Sequence, residues 1–255
     1  MNPSQVIAID GLSCVGKSTI AQALARMTGA TYINTGYMYR AIGKLALQQK
    51  IDAQDQARVI ALAQAMQFEF RVLESYSHIF VNGEDWTRIL DDNAAIQLAS
   101  KIAVIREVRD IFTQRQRECA QLKAIVMEGR DIGTVVFPDA QWKFFVSASF
   151  DVRIQRLYRL FSAEEMEKIK GDEAGFLKRL DQSDLTRTFG AVQRAGDAVE
   201  YDNSSSPNAE EDALVLNYYI KHPEEIQNRL ITHGETVMQK ARRFAEGGVA
   251  SGKHS

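Results

Sequence analysis

Short runs of consecutive apolar, β-branched residues alternate along this chain with long stretches whose apolar positions recur every three or four residues. Runs of the first kind suit strands buried on both faces of a parallel sheet, and stretches of the second kind suit the amphipathic helices that cross between such strands. The pattern places strands at about Gln5 to Asp10, Lys123 to Glu128, Trp142 to Ser147 and Asp197 to Tyr201. Between the first two, helical patterning gives way to Phe68-Glu69-Phe70-Arg71-Val72 and His78-Ile79-Phe80-Val81, and the following Asn82-Gly83 is a strong hairpin signal. This segment reads as a small subdomain inserted into an α/β core. From Phe161 to Arg187 the chain turns charged and poor in long apolar runs, which predicts a mobile surface excursion over a site. Ser204-Ser205-Ser206-Pro207 reads as a loop leading into a helix, a C-terminal helix is expected from about Pro223 to Ala245, and the tail from Gly247 to Ser255 reads as disordered.

Composition narrows the partners. With 255 residues and 45% hydrophobic content the chain can bury a large core without staples, as one α/β domain carrying insertions. Its 31 basic and 33 acidic residues argue against binding nucleic acid through a basic surface, so any phosphate ligand must be met by local clusters. Cys14 and Cys119 form no CxxC pair and suit a reducing cytosol, and the sequence shows no metal-ligand cluster. The N-terminus lacks a basic n-region and its apolar run stops at Asp10, so the expectation is a soluble cytoplasmic protein with no membrane partner. The modest net charge leans towards a monomer.

Chemistry enters at Gly11-Leu12-Ser13-Cys14-Val15-Gly16-Lys17-Ser18, which matches GxxxxGK[ST] at every fixed position. It follows a Val-Ile-Ala-Ile strand and opens the helix-compatible run Thr19 to Met27, an arrangement that aims backbone N–H groups and a helix N-terminus at phosphate. Gly11, Ser13, Cys14, Val15, Gly16, Lys17, Ser18 and Thr19 are therefore the expected ATP-binding residues. Lys17 would reach the β and γ phosphates, and the Ser18 hydroxyl would ligate Mg²⁺ bound with ATP. Cys14 sits where positive potential lowers a thiol pKa, although such a residue more often only fills space.

A P-loop alone leaves switches, motors and small-molecule kinases open. Asn34-Thr35-Gly36-Tyr37-Met38-Tyr39-Arg40, and above all Glu128-Gly129-Arg130-Asp131-Ile132-Gly133-Thr134-Val135-Val136-Phe137-Pro138-Asp139-Ala140, resemble the bacterial cytidylate kinase family, with matches in order from Val6 to about Asp202. The resemblance implies a P-loop NTPase fold with a five-stranded parallel sheet flanked by helices, in a kinase domain spanning residues 1–246. It also implies a monophosphate-binding insert at about 37–100, a lid at about 161–187, and transfer of phosphate from ATP to a pyrimidine nucleoside monophosphate. It further implies that Arg40, Arg130 and Arg187 clamp the acceptor phosphate near Thr35, that Ser100, Arg109 and Asp131 read the cytosine edge, and that Asp184 meets the sugar. Guanidinium forks suit phosphate bidentately. Arg153 and Arg156 share one face of a helix after Ser149 and resemble the arginines at the base of the family's lid.

The bland readings are specific too. Arg109 on a helix is ordinarily a solvated or i,i+4 residue, and Ser100 would equally serve as a helix N-cap. Arg130-Asp131 is harder to dismiss, because it sits at the carboxyl end of an apolar strand, where open α/β sheets place ligands. The chain also departs from the family pattern: Leu180 and Ser183 stand where lid arginines are usual, Leu90-Asp91 replaces Ile-Arg, and the loop from Asp202 to Glu211 is longer. A guanine-reading NKxD is missing, which disfavours a GTPase. A kinase of another small acceptor and a catalytically weak nucleotide sensor stay open.

Overall fold

The computed structural model describes residues 6–250 apart from 74–75, 91–92, 122–123, 162, 207, 227 and 233. Val6–Asp10 (β1) is almost wholly buried and pairs in parallel on both edges, with Ile125–Gly129 (β6) and Trp142–Ser147 (β7). Outside these lie Thr31–Asn34 (β2) beside β6, and Val199–Asp202 (β8) then Leu230–Thr232 (β9) beside β7. The sheet is thus parallel with six strands in the order β2-β6-β1-β7-β8-β9, one more than expected. The additional strand is β9, within the segment read above as part of one long C-terminal helix. That segment instead holds a 3₁₀ turn at Pro223–Glu225, the strand, and a helix at Glu235–Ala250 (α10). The helix carries on through 250, four residues into the tail expected to be disordered, and 251–255 lie outside the described residues.

Side chains alternate across the sheet with the period of two that a strand imposes. Ile9, Val126, Phe144 and Tyr201 point to one face, where Lys17–Thr28 (α1), Ala209–Lys221 (α9) and α10 cover them with Ile20, Leu24, Leu216 and Met238. Ala8, Ile33, Ile125 and Met127 point to the other, against Ile132, Val136 and Phe137. α9 begins where Asn208 accepts the Glu211 N–H at 3.0 Å, and three acidic residues in its first turn complement the helix dipole.

A third core belongs to the inserted segment. Thr35–Gln48 (α2), Gln56–Ala65 (α3), Asn93–Ile102 (α4) and Arg106–Cys119 (α5) surround Met38, Ile42, Val59, Leu90 and Phe112. A small antiparallel sheet, Phe68–Leu73 (β3), Tyr76–Val81 (β4) and Glu84–Asp85 (β5), adds Ile79 and Val81. The Asn82-Gly83 signal marks the β4–β5 turn, with both residues at positive φ. The region expected to be a mobile excursion is helical: Phe150–Leu160 (α6) leads to Ala163–Ile169 (α7) and Glu173–Leu185 (α8). Its charges stabilise it locally, through the pairs Lys168–Glu164 and Lys170–Glu167 within one turn of α7 and its exit. Among the described residues no helix is long and apolar enough to cross a membrane.

Candidate functional site

The GxxxxGK[ST] loop follows the carboxyl end of β1, and Arg130-Asp131 follows that of the adjacent strand β6. Residues 11–16 link β1 to α1, with Gly11, Cys14 and Gly16 at φ 150, 63 and 96. Gly16 is required twice over, because a Cβ at this left-handed position would also lie 2.5 Å from the Asn203 amide nitrogen. Several of the loop's carbonyls accept from side chains. Leu12 O accepts from Lys17 Nζ (2.5 Å), Ser13 O from Arg153 Nε (2.8 Å), and Val15 O from both Arg156 (2.8 Å) and Asn203 Nδ2 (2.7 Å). Thr19 returns its hydroxyl to Gly16 O at 2.8 Å, while the Ser18 side chain faces solvent.

Burial decides the charge states. It pulls the Lys17 ammonium down to about 7, and the nearby Arg130 charge adds to the effect. Asp10, at the end of β1, is pushed up to about 6 by burial even though it accepts the Ile132 and Gly133 N–H groups at 2.8 and 2.7 Å. Those bonds anchor the π-type turn Ile132–Val136 that follows Arg130-Asp131. The Cys14 thiol is raised, because burial outweighs the neighbouring Arg153, Lys17 and Arg130. The space-filling reading of this cysteine is therefore the one the local electrostatics favour.

Arg130 joins two clusters. Its Nη2 donates to Ser13 Oγ in the P-loop (3.0 Å), and its Nε to Asp184 Oδ2 on α8 (2.6 Å). Arg187 pairs with the other oxygen of Asp184. Burial lowers Arg187 to about 10, and the like charges of Arg130 and Arg109 push in the same direction. Crowded guanidinium groups that depress one another are what an anion would relieve. Arg109 is buried on α5 and pairs with the buried Asp131, so it is not the solvated helix residue of the bland reading. Gly190, at φ 66, is the point where the chain leaving α8 passes over this pair, since a Cβ there would overlap the Arg109 guanidinium.

The other anticipated residues divide. Thr35 donates to Glu128 O at 2.9 Å beside the Arg130 loop, and Glu128 itself is buried and accepts from Tyr32 OH at 2.9 Å. Arg40 lies on α2 with its guanidinium 5.6 Å from the Tyr37 ring centroid. Ser100 is not an N-cap: it sits inside α4, exposed, and its hydroxyl bonds back to Ile96 O at 3.2 Å. Arg153 forks onto both oxygens of Asp181 at 2.9 and 2.5 Å, tying α6 to α8. A cavity of ≈370 Å³, lined by Val104, Ser183, Thr186, Arg187, Thr188 and Phe189, opens beside Arg187. A larger one of ≈460 Å³ between β2, β3 and α5 contains none of the anticipated site residues.

Sequence reasoning missed Asp10 and Asn203. Asp10 closes an apolar strand immediately before a glycine, a signal available in the sequence, but its partners lie more than a hundred residues away. Asn203 is 3% exposed and its Oδ1 has no hydrogen-bond partner among the described residues.

The model of the cytidylate kinase family matches residues 7–220. A cytidylate kinase of Solibacter usitatus is 41% identical over 213 residues, covering 83% of this chain and 90% of its own. A cytidylate kinase of Caldicellulosiruptor bescii is 33% identical over 215 residues (84% and 95%), and one of a Geobacillus species 38% identical over 203 residues (78% and 89%).

Proposed function

Given that the chain belongs to the cytidylate kinase family, we propose that its two basic clusters hold ATP and a pyrimidine monophosphate on either side of Arg130. The protein is a nucleoside monophosphate kinase that uses ATP to phosphorylate CMP or dCMP. The observation that carries the assignment of residues is the position of Arg130, within hydrogen-bonding distance of Ser13 in the P-loop and of the Asp184 that also pairs with Arg187.

In this reading residues 11–19 take the donor phosphates, with Lys17 as the cation nearest the transferred group. Arg40, Arg130 and Arg187 clamp the acceptor phosphate beside Thr35, Asp184 meets the sugar, and Arg109, Asp131 and Ser100 read the base. Arg153 and Arg156 add positive potential beside the donor loop. The acceptor oxygen is already anionic, so no protein base is needed; the residues' task is to align the two phosphates and neutralise their charge. Asp184 and Asp181, which now occupy Arg130, Arg187 and Arg153, act as internal stand-ins that incoming phosphates displace. The segments at about 37–100 and 161–187 then serve as acceptor-binding insert and lid, closing to exclude water.

Ser18 suits Mg²⁺ carried in with ATP, because its hydroxyl is exposed at the first turn of α1 and magnesium takes few protein ligands beside phosphate oxygens. Bound there, the ion would offset part of the phosphate charge. The free thiols of Cys14 and Cys119 accord with a cytoplasmic enzyme.

The Lys17 shift gives this reading a pH signature. Below pH 7 the lysine is charged whether or not ATP is present; above it, the empty protein has lost a proton that bound polyphosphate would restore. The Kd for ATP should therefore be flat in this group's contribution below pH 7 and rise by up to about tenfold per unit above it. Calorimetry at about pH 8.5 in buffers of different ionisation heat should register proton uptake on binding. Uptake of no proton would contradict a neutral lysine in the empty cleft. The acceptor assignment is tested by a coupled assay over the common ribo- and deoxyribonucleoside monophosphates: diphosphate formation confined to cytidine acceptors supports it, and preference for a purine acceptor or none refutes it.

A further inference from the structure

We infer that Asn203 is a positioning residue for the donor cradle: together with Arg156 it pins the Val15 carbonyl so that the Gly16 N–H faces the phosphates. This rests on the donor reading of residues 11–19.

The N–H of a trans peptide points opposite to its C=O, and among the described residues no peptide is cis. Val15 O is held from outside the loop by one neutral donor, Asn203 Nδ2 at 2.7 Å, and one cationic donor, Arg156 Nη1 at 2.8 Å. The Gly16 N–H of the same peptide is thereby directed away from both. Glycine leaves a peptide plane free to rotate at little steric cost, so the loop needs an external latch if that N–H is to be preorganised.

Asn203 is itself fixed on three sides. Its N–H donates to Ser147 O at 2.9 Å, its O accepts from Arg156 Nη2 at 2.8 Å, and its side chain fills the space that a Cβ on Gly16 would enter. Flipping the amide would set Oδ1 against Val15 O, two acceptors face to face, so the donor orientation is fixed. The unpartnered Oδ1 fits the same account, because the amide's hydrogen-bonding use lies in Nδ2. Residue 203 thus transmits the end of β8 to the loop after β1, and acts on ATP only through that loop.

Asn203→Asp keeps the shape and removes the donor; Asn203→Ser is the companion should the aspartate variant fail to fold. In the full chain with ¹⁵N-glycine, ATP should shift the Gly16 amide strongly in the wild type and weakly in either variant. The Kd for ATP should rise about tenfold, the scale of one charge-assisted bond, with the Kd for CMP unchanged. A folded variant that binds ATP as the wild type does, with the full Gly16 shift, overturns the inference and leaves the kinase reading standing. A wild type that binds no ATP overturns both.

Discussion

Lys17→Met should lower kcat/KM for phosphoryl transfer by at least about a hundredfold while leaving the melting temperature unchanged or higher. The two halves have one cause. The ammonium is buried, and burial has pulled it to about 7, so holding it charged in the empty protein costs stability. Methionine keeps the volume of the stem and removes that cost. The same buried charge is worth most when negative charge builds on the transferring group: one charge-assisted hydrogen bond is worth about 1.5–3 kcal/mol, or about ten- to a hundredfold in rate, and a preorganised site loses more. Steady-state kinetics and a thermal melt on the same preparation check both halves. Retained turnover, or loss of turnover through unfolding, would contradict this account of Lys17.

Arg187→Ala should lower kcat/KM for the monophosphate by about ten- to a hundredfold, and Arg130→Ala by more, with both substrates affected. Among the described residues Arg187 bonds to Asp184 and Ser183, whereas Arg130 also reaches Ser13 in the P-loop. Because the two guanidinium groups share Asp184, the double variant should lose less than the product of the single losses. Separate kcat/KM values for ATP and CMP distinguish the cases. Equal effects of Arg187→Ala on both substrates would remove its assignment to the acceptor.

The parts of this site that the sequence reveals are those with fixed spacing. GxxxxGK[ST] carries a positional meaning for each residue, and Arg130-Asp131 is legible because an apolar strand ends just before it. The less legible parts depend on contacts between distant residues. Asn203 lies in the polar run Asp202-Asn203-Ser204-Ser205-Ser206, where nothing local separates a latch from an ordinary loop residue. Its importance is apparent only beside Val15, 188 positions earlier. Asp10 is equally silent until the Ile132–Val136 turn is folded onto it.

Length explains the errors in the fold. β9 is three residues and β2 four, too short for a period of two to register, and β9 lies inside a stretch whose pattern is amphipathic. α7 is short and carries exposed ion pairs at i,i+3 and i,i+4 spacing, so its composition resembles that of a loop. Arg109 shows the reverse case. Its helix, α5, is charged enough to suggest a solvated face, and the approach of Asp131, Tyr39 and Gly190 buries it.

The most direct test follows the phosphate itself. With ATP labelled at the γ position and CMP both present, the label should appear in CDP, and little should appear as inorganic phosphate. Label released to water in the presence of CMP, or retained in ATP, would contradict a cleft that aligns donor and acceptor across Arg130.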